Sequence, residues 1–160
     1  MKVRDEELLV CDLTSMLSFY RGRAPMPEDQ TLSRKAHFQI LNRRIEAAEA
    51  VLAVLKAAHQ VPCGDEHCAL CRRLARWAEA RAIHEVTELP KPLAREKKRD
   101  QYAAAVAVRL DAAEVIVEQE AKAHWGRCAE ECRMCVLIGE WRDARVVHEA
   151  VLTRASEGAA

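Results

Sequence analysis

Apolar residues recur along most of this chain at the three- and four-residue spacing of a buried helix face. Leu41, Ile45, Ala48, Leu52 and Leu55 step by four, three, four and three, which sets them in one stripe of a helix. The pattern predicts a helix from about Leu32 to His59 and a second from about Cys68 to Thr87. The stretch from Leu89 to Leu93, with Pro90 and Pro92, breaks it. Two more helices are expected, from about Arg95 to His124 and from about Cys132 to Ser156. Ahead of all four, Glu6 to Tyr20 reads as a helix, and Arg21 to Asp29, with Gly22, Pro25 and Pro27, as a loop.

The second pair of helices repeats the first. Displaced by 65 positions, Arg44 falls on Arg109, Ile45 on Leu110 and Glu46 on Asp111. Ala47, Ala48 and Glu49 fall on Ala112, Ala113 and Glu114, His59 on His124 and Cys63 on Cys128. One residue is then lost, and at a displacement of 64 Cys68 meets Cys132, Cys71 meets Cys135, and Trp77 meets Trp141. Ala80 meets Ala144, Arg81 meets Arg145, and His84 with Glu85 meets His148 with Glu149. Matches concentrated on special residues at constant spacing read as an internal duplication. The expected organisation is an N-terminal helix and loop over residues 1–30, a first hairpin over 31–90 and a second over 91–160, packed as one domain.

The duplicated pattern is His-x3-Cys, then Cys-x2-Cys after three or four residues. It takes His59, Cys63, Cys68 and Cys71 in the first copy and His124, Cys128, Cys132 and Cys135 in the second. Six of the seven cysteines fall in it, leaving Cys11. Three thiolates and one imidazole with no open position suit a closed tetrahedral zinc site. His and the first Cys lie one helical turn apart, and the Cys-x2-Cys opens the next helix, whose N-terminal amides stabilise thiolates. Two zinc ions per chain are expected, each pinning the tip of a hairpin. Each cluster would be left with a net negative charge, which Arg72, Arg73, Arg127 and Arg133 lie close in sequence to offset. The fold class expected is all-α, a tandem duplication of a zinc-clamped helical hairpin with an extra N-terminal helix.

The alternatives are free buried cysteines, a redox pair, or an iron–sulfur cluster. Cys128, Cys132 and Cys135 have radical-SAM spacing, but the first copy has four residues where that motif needs three, and no β/α barrel pattern is present. His84 and His148 lie thirteen residues of helix beyond the last Cys, roughly 20 Å away, too far for the same metal. His37 and His67 have no counterpart in the other copy and are expected on the surface.

A second polar layer recurs at equal distance from both tips. Glu46 and His84 correspond in height, as do Asp111 and His148; Glu49 stands beside Arg81, and Glu114 beside Arg145. The expected role is a set of inter-helix salt bridges. The sharper alternative is a shared carboxylate–histidine metal or ligand site made of Glu46, Glu49, His84, Asp111, Glu114 and His148. The Glu-x2-His spacing of such sites is missing, and the arginines would repel a cation.

Composition adjusts the functional reading. Of 160 residues, 25 are basic and 25 acidic, so the net charge is zero, which weighs against a dedicated nucleic-acid binder. Local basic faces remain, at Lys91, Arg95, Lys97, Lys98 and Arg99, and at Arg72, Arg73, Arg76 and Arg81. The opening MKVRDEELLV is not a secretory leader, and no apolar run nears the roughly 20 residues of a membrane span. A cytoplasmic protein is therefore expected, where clustered thiols bind metal more often than they form disulfides. The His-x3-Cys and Cys-x2-Cys elements resemble those of the zinc-binding anti-sigma factors, helical proteins with a His-x3-Cys-x2-Cys motif. Here the two elements share no cysteine and the resemblance covers about a dozen residues per copy, so it carries over no function. The expected role is a non-enzymatic protein-interaction or regulatory module. The alternatives are a nucleic-acid-binding regulator using the basic helix faces, and a thiol-based redox sensor or iron–sulfur protein.

Overall fold

Four helices carry the protein: α1 (Arg34–His59), α2 (Ala69–Val86), α3 (Glu96–His124) and α4 (Arg133–Glu157). The computed structural model describes residues 34–60, 62–91, 94–124, 126–128 and 132–157, and no strand occurs among them. The predicted N-terminal helix, its loop and Cys11 lie outside the described residues. No described helix is long and apolar enough to cross a membrane.

The predicted stripe of α1 is the buried one: Leu41, Ile45, Ala48, Leu52 and Leu55 all lie in the core. Leu74, Trp77 and Ala80 bury the same face of α2, and Ile138, Trp141 and Ala144 that of α4. Helix ends follow from local chemistry. α1 stops at His59, where Gln60 turns left-handed (φ 52°). α2 starts at Cys68, whose sulfur accepts from the Cys71 N–H at 3.5 Å. It ends at Thr87, whose N–H and Oγ1 both donate to the Ile83 carbonyl.

The helices do not associate as two self-contained hairpins. α1 packs along α4 and α2 along α3, with α1 against α3 in the middle. Phe38 meets Tyr102, ring centroids 6.2 Å apart. Leu41 and Ile45 share a layer with Tyr102, Val106 and Leu110. The next layer joins Ala48, Val51, Leu52 and Leu55 to Ala113, Ile116, Val117 and Ala121. Residue numbers rise together on both helices, so α1 and α3 run parallel and in the register of the repeat. His59 and His124 therefore end their helices at the same end of the bundle.

Side-chain size explains the interleaving. Within each half an indole spans the gap between the two helices: Trp77 Nε1 donates to Glu49 at 3.1 Å and Trp141 Nε1 to Glu114 at 2.9 Å. Between halves α2 and α4 each present a buried alanine. Ala80 shares a groove with Val108 and Ala112 of α3, and Ala144 shares one with Ile40 and Arg43 of α1. Short side chains let helices approach closely, and ridges then settle into grooves. The periodicity located the buried faces but not which helix each would meet.

Candidate metal centres

The eight residues singled out by the duplicated motif come together in two groups of four. In each of His59, Cys63, Cys68, Cys71 and His124, Cys128, Cys132, Cys135, the ligand atoms all lie within 4.8 Å of one another. In the first, His59 Nε2 is 3.1 Å from Cys68 Sγ, and the Cys71 and Cys63 sulfurs are 3.6 Å apart. In the second, His124 Nδ1 is 2.8 Å from Cys128 Sγ and 3.7 Å from both Cys132 and Cys135 Sγ. All six cysteines are free thiols. A tetrahedron with Zn–S near 2.3 Å and Zn–N near 2.0 Å has edges of roughly 3.5–3.8 Å. Both groups are near that size, so the residues fit a metal ion such as zinc.

Local structure builds each group the same way. The last turn of α1 or α3 presents the histidine. A short connection follows, with a left-handed glycine in each: Gly64 (φ 82°) directly after the first cysteine, Cys63, and Gly126 (φ 69°) two residues before its counterpart, Cys128. The Cys-x2-Cys then opens α2 or α4. The backbone N–H of Cys71 holds the Cys68 thiol down to about 6, against burial, with the His59 ring and neighbouring thiols helping. The backbone N–H of Cys135 likewise holds Cys132 down to about 7. Burial, with two thiols beside it, pushes Cys128 up to about 11. Each cluster thus has one sulfur already disposed to be thiolate, while Cys71 in the first and Cys128 in the second hold their protons more firmly, to be displaced by a bound cation.

Glu120 was not expected at the second centre. Its Oε1 lies 3.0 Å from His124 Nε2, on the ring edge away from the sulfurs. The only sequence signal is its place four residues before His124 on the same helix.

The second polar layer forms, but with different partners from those expected. Arg44 Nε and NH2 grip both oxygens of Glu114 at 2.7 Å, and Arg109 grips Glu49 at 2.7 and 2.8 Å. Each arginine also meets a histidine Nδ1: Arg44 meets His148 at 2.9 Å and Arg109 meets His84 at 3.1 Å. Arg81 and Arg145, expected beside Glu49 and Glu114, pair with Glu85 and Glu149 one turn along, Arg145 also reaching Glu118. They lie over Trp77 and Trp141, 5.6 and 5.4 Å from the ring centroids. Glu46 and Asp111, expected beside His84 and His148, are exposed. The reason is reach. Arg44 and Arg109 sit on the central parallel helices, and each long side chain extends about one turn along its neighbour to the acid. Among the described residues, the six side chains of the sharper alternative form no metal-ligating group; guanidinium groups fill that layer.

One histidine moves from surface to core. His37, expected to be exposed, is 2% exposed, because it stands where Tyr102 stands in the other half. Its ring centroid is 6.0 Å from that of His148, and its Nδ1 has no hydrogen-bond partner. His67 is exposed, as expected.

Among known proteins, no family model matches this chain, and no curated protein or solved structure shows significant similarity to it.

Proposed function

We propose that this protein is a non-enzymatic, zinc-stabilised helical module that binds a protein partner, with two structural zinc ions per chain held by His59, Cys63, Cys68, Cys71 and His124, Cys128, Cys132, Cys135. The observation that carries the reading is the pair of closed four-donor clusters at near-tetrahedral spacing. Four protein ligands leave no position for water or substrate, so the metal would organise the fold and not perform chemistry. At the tips the ions would join α1 to α2 and α3 to α4, the contacts that packing alone leaves weakest.

The partner reading rests on the groove between α2 and α3. Ile83, Val108 and Val115 are about half exposed along it, and Arg73, Arg76, Glu79 and Asp111 also line it. Branched aliphatics left in water in one groove are the usual mark of a protein interface. A groove carrying both signs of charge suits a protein and not a polyanion.

Native mass spectrometry with elemental analysis tests the metal assignment, and two zinc ions per chain in a colourless sample are expected. Absorption near 400 nm would replace zinc with an iron–sulfur cluster. Titration with DNA and RNA at rising salt tests the partner class. Binding that weakens steeply with salt would move the assignment to nucleic acid.

A further inference from the structure

The two centres differ in what stands behind the histidine. In the second, the His124 ring is held from both edges, Nδ1 toward the sulfurs and Nε2 to Glu120 Oε1 at 3.0 Å. Glu120 and His124 are one turn apart on α3, so the carboxylate is carried by the same rigid element as the ligand. In the first centre the matching position is Leu55, a buried aliphatic with no oxygen to offer. There the nitrogen facing sulfur is Nε2. The two rings are thus presented by opposite edges.

Among the described residues, the first centre's connection carries two left-handed residues, Gly64 and the non-glycine Gln60 (φ 52°). A side chain in that region is strained and persists only while its surroundings hold it. Loss of a metal from this loop would let Gln60 relax.

We propose that the two centres hold zinc unequally: the centre braced by Glu120 is the retained site, and the centre of His59, Cys63, Cys68 and Cys71 is the exchangeable one. The proposal rests on the zinc reading above. A carboxylate on the far nitrogen of a metal-bound imidazole fixes the ring's tautomer and orientation and raises its basicity. Removing such a partner typically lowers metal affinity 10- to 100-fold. Glu120 is a positioning residue in this sense; it touches the ligand and not the metal. The first centre would follow the free zinc level while the second kept the bundle closed, so occupancy would change without global unfolding.

The test uses the full chain loaded with zinc. A colorimetric chelator withdraws metal while native mass spectrometry counts the ions, and N-ethylmaleimide marks released thiols for peptide mapping. A one-zinc species is expected to accumulate, alkylated at Cys63, Cys68 and Cys71, with the second ion leaving about 10-fold more slowly or slower still. Glu120→Leu, which copies the first centre at this position, should speed the second ion's release toward the rate of the first, by about 10-fold or more. Glu120→Gln, which keeps an acceptor oxygen, should restore part of the difference. The unfolding midpoint of the metal-free chain should be the same with and without Glu120→Leu, which separates positioning from general stability. Release of both ions at one rate, or first alkylation at Cys128, Cys132 and Cys135, would overturn the proposal. A chain that takes up no zinc, with all six thiols alkylated at once, would instead refute the zinc reading on which it stands.

Discussion

Arg44 and Glu114 form a two-armed ion pair, 2.7 Å on each arm, that ties α1 of one half to α3 of the other in the protein interior. Their side chains are 8% and 10% exposed. Neither charge could stay there alone. Trp141 Nε1 donates to the same carboxylate and His148 Nδ1 accepts from the same guanidinium, so the remaining polar atoms are engaged. Arg109, Glu49, Trp77 and His84 repeat the arrangement with the matching residues of the other copy, somewhat closer to solvent.

Breaking one partner of a buried pair leaves an uncompensated charge, which costs about 3–5 kcal/mol. Arg44→Met is therefore expected to lower the urea midpoint strongly, and Arg109→Met less, because its pair is more exposed. The double variant Arg44→Met with Glu114→Leu should recover most of the loss, since hydrophobic replacement of both members is often neutral. All three should still bind two zinc ions. If the double variant were as unstable as Arg44→Met alone, the desolvation account would fail.

The repeat in the sequence already held this relationship, since Arg44 falls on Arg109 and Glu49 on Glu114. It was not legible as a pair because helix-height counting assumes that a hairpin's own helices face one another. Height along α1 and α2 pairs acid with base inside one hairpin, whereas α1 packs chiefly against α4 and α3. Local periodicity encodes which face is buried; the partner of that face depends on the sizes of Trp77, Ala80 and their counterparts acting together. The metal ligands were legible because their chemistry is local, with all four donors within thirteen residues. Glu120 was not, because a carboxylate one turn before a histidine on a charged helix is common. The burial of His37 shows in the sequence only through its match at the repeat displacement, the aromatic Tyr102.

Acid should destabilise the fold through the interior histidines. Burial, and then Arg44, hold His148 down to about 4; burial, and then His148, hold His37 down to about 3. The unfolded chain titrates near 6.5. A histidine whose folded pKa lies below its unfolded one binds fewer protons when folded, so its stability is fully present above about pH 6.5. That stability is lost as pH falls toward 4 and 3. His148→Gln, which can still accept from Arg44, should flatten the stability profile between pH 6.5 and 4. Thiolate protonation acts in the same range in both proteins, so the comparison is between variant and wild type. Parallel profiles would remove His148 as a source of the acid sensitivity.

Zinc removal should act on the whole molecule, because each centre closes a contact that side-chain packing leaves weak. Binding at such sites is worth on the order of 10 kcal/mol in small domains. Cys71→Ser with Cys135→Ser, or complete chelation of the wild type, is expected to lower the melting temperature sharply and to broaden the transition. The helical circular dichroism signal at low temperature should fall only in part, since Leu52, Val51 and Val117 remain buried in the cross-packed core. An unchanged melting curve after proven metal loss would refute a structural role for the ions.

A departure from symmetry between the halves, at His37, tests what the buried hydrogen bond contributes. In one half His84 Nδ1 accepts from Arg109, so its Nε2–H donates to the Tyr102 hydroxyl at 3.2 Å, the rings edge to face. In the other half His37 takes the tyrosine's position against His148, and its buried Nδ1 meets no partner. A buried polar atom without a hydrogen bond costs about 1–3 kcal/mol. His37→Tyr restores the symmetric arrangement: the orphaned nitrogen is gone, and a hydroxyl becomes available to the far nitrogen of His148. His37→Phe removes the orphan without supplying the hydroxyl. The urea midpoint is expected to be higher for Tyr than for Phe, because only Tyr offers an oxygen to accept from the Nε2–H of His148, whose Nδ1 is taken by Arg44. The main cost is volume, since overpacking a filled core opposes the gain by a similar amount. Phe and Tyr share that cost, so their difference isolates the hydroxyl. A His37→Tyr protein no more stable than His37→Phe would show that the second half does not use the hydrogen bond its twin makes.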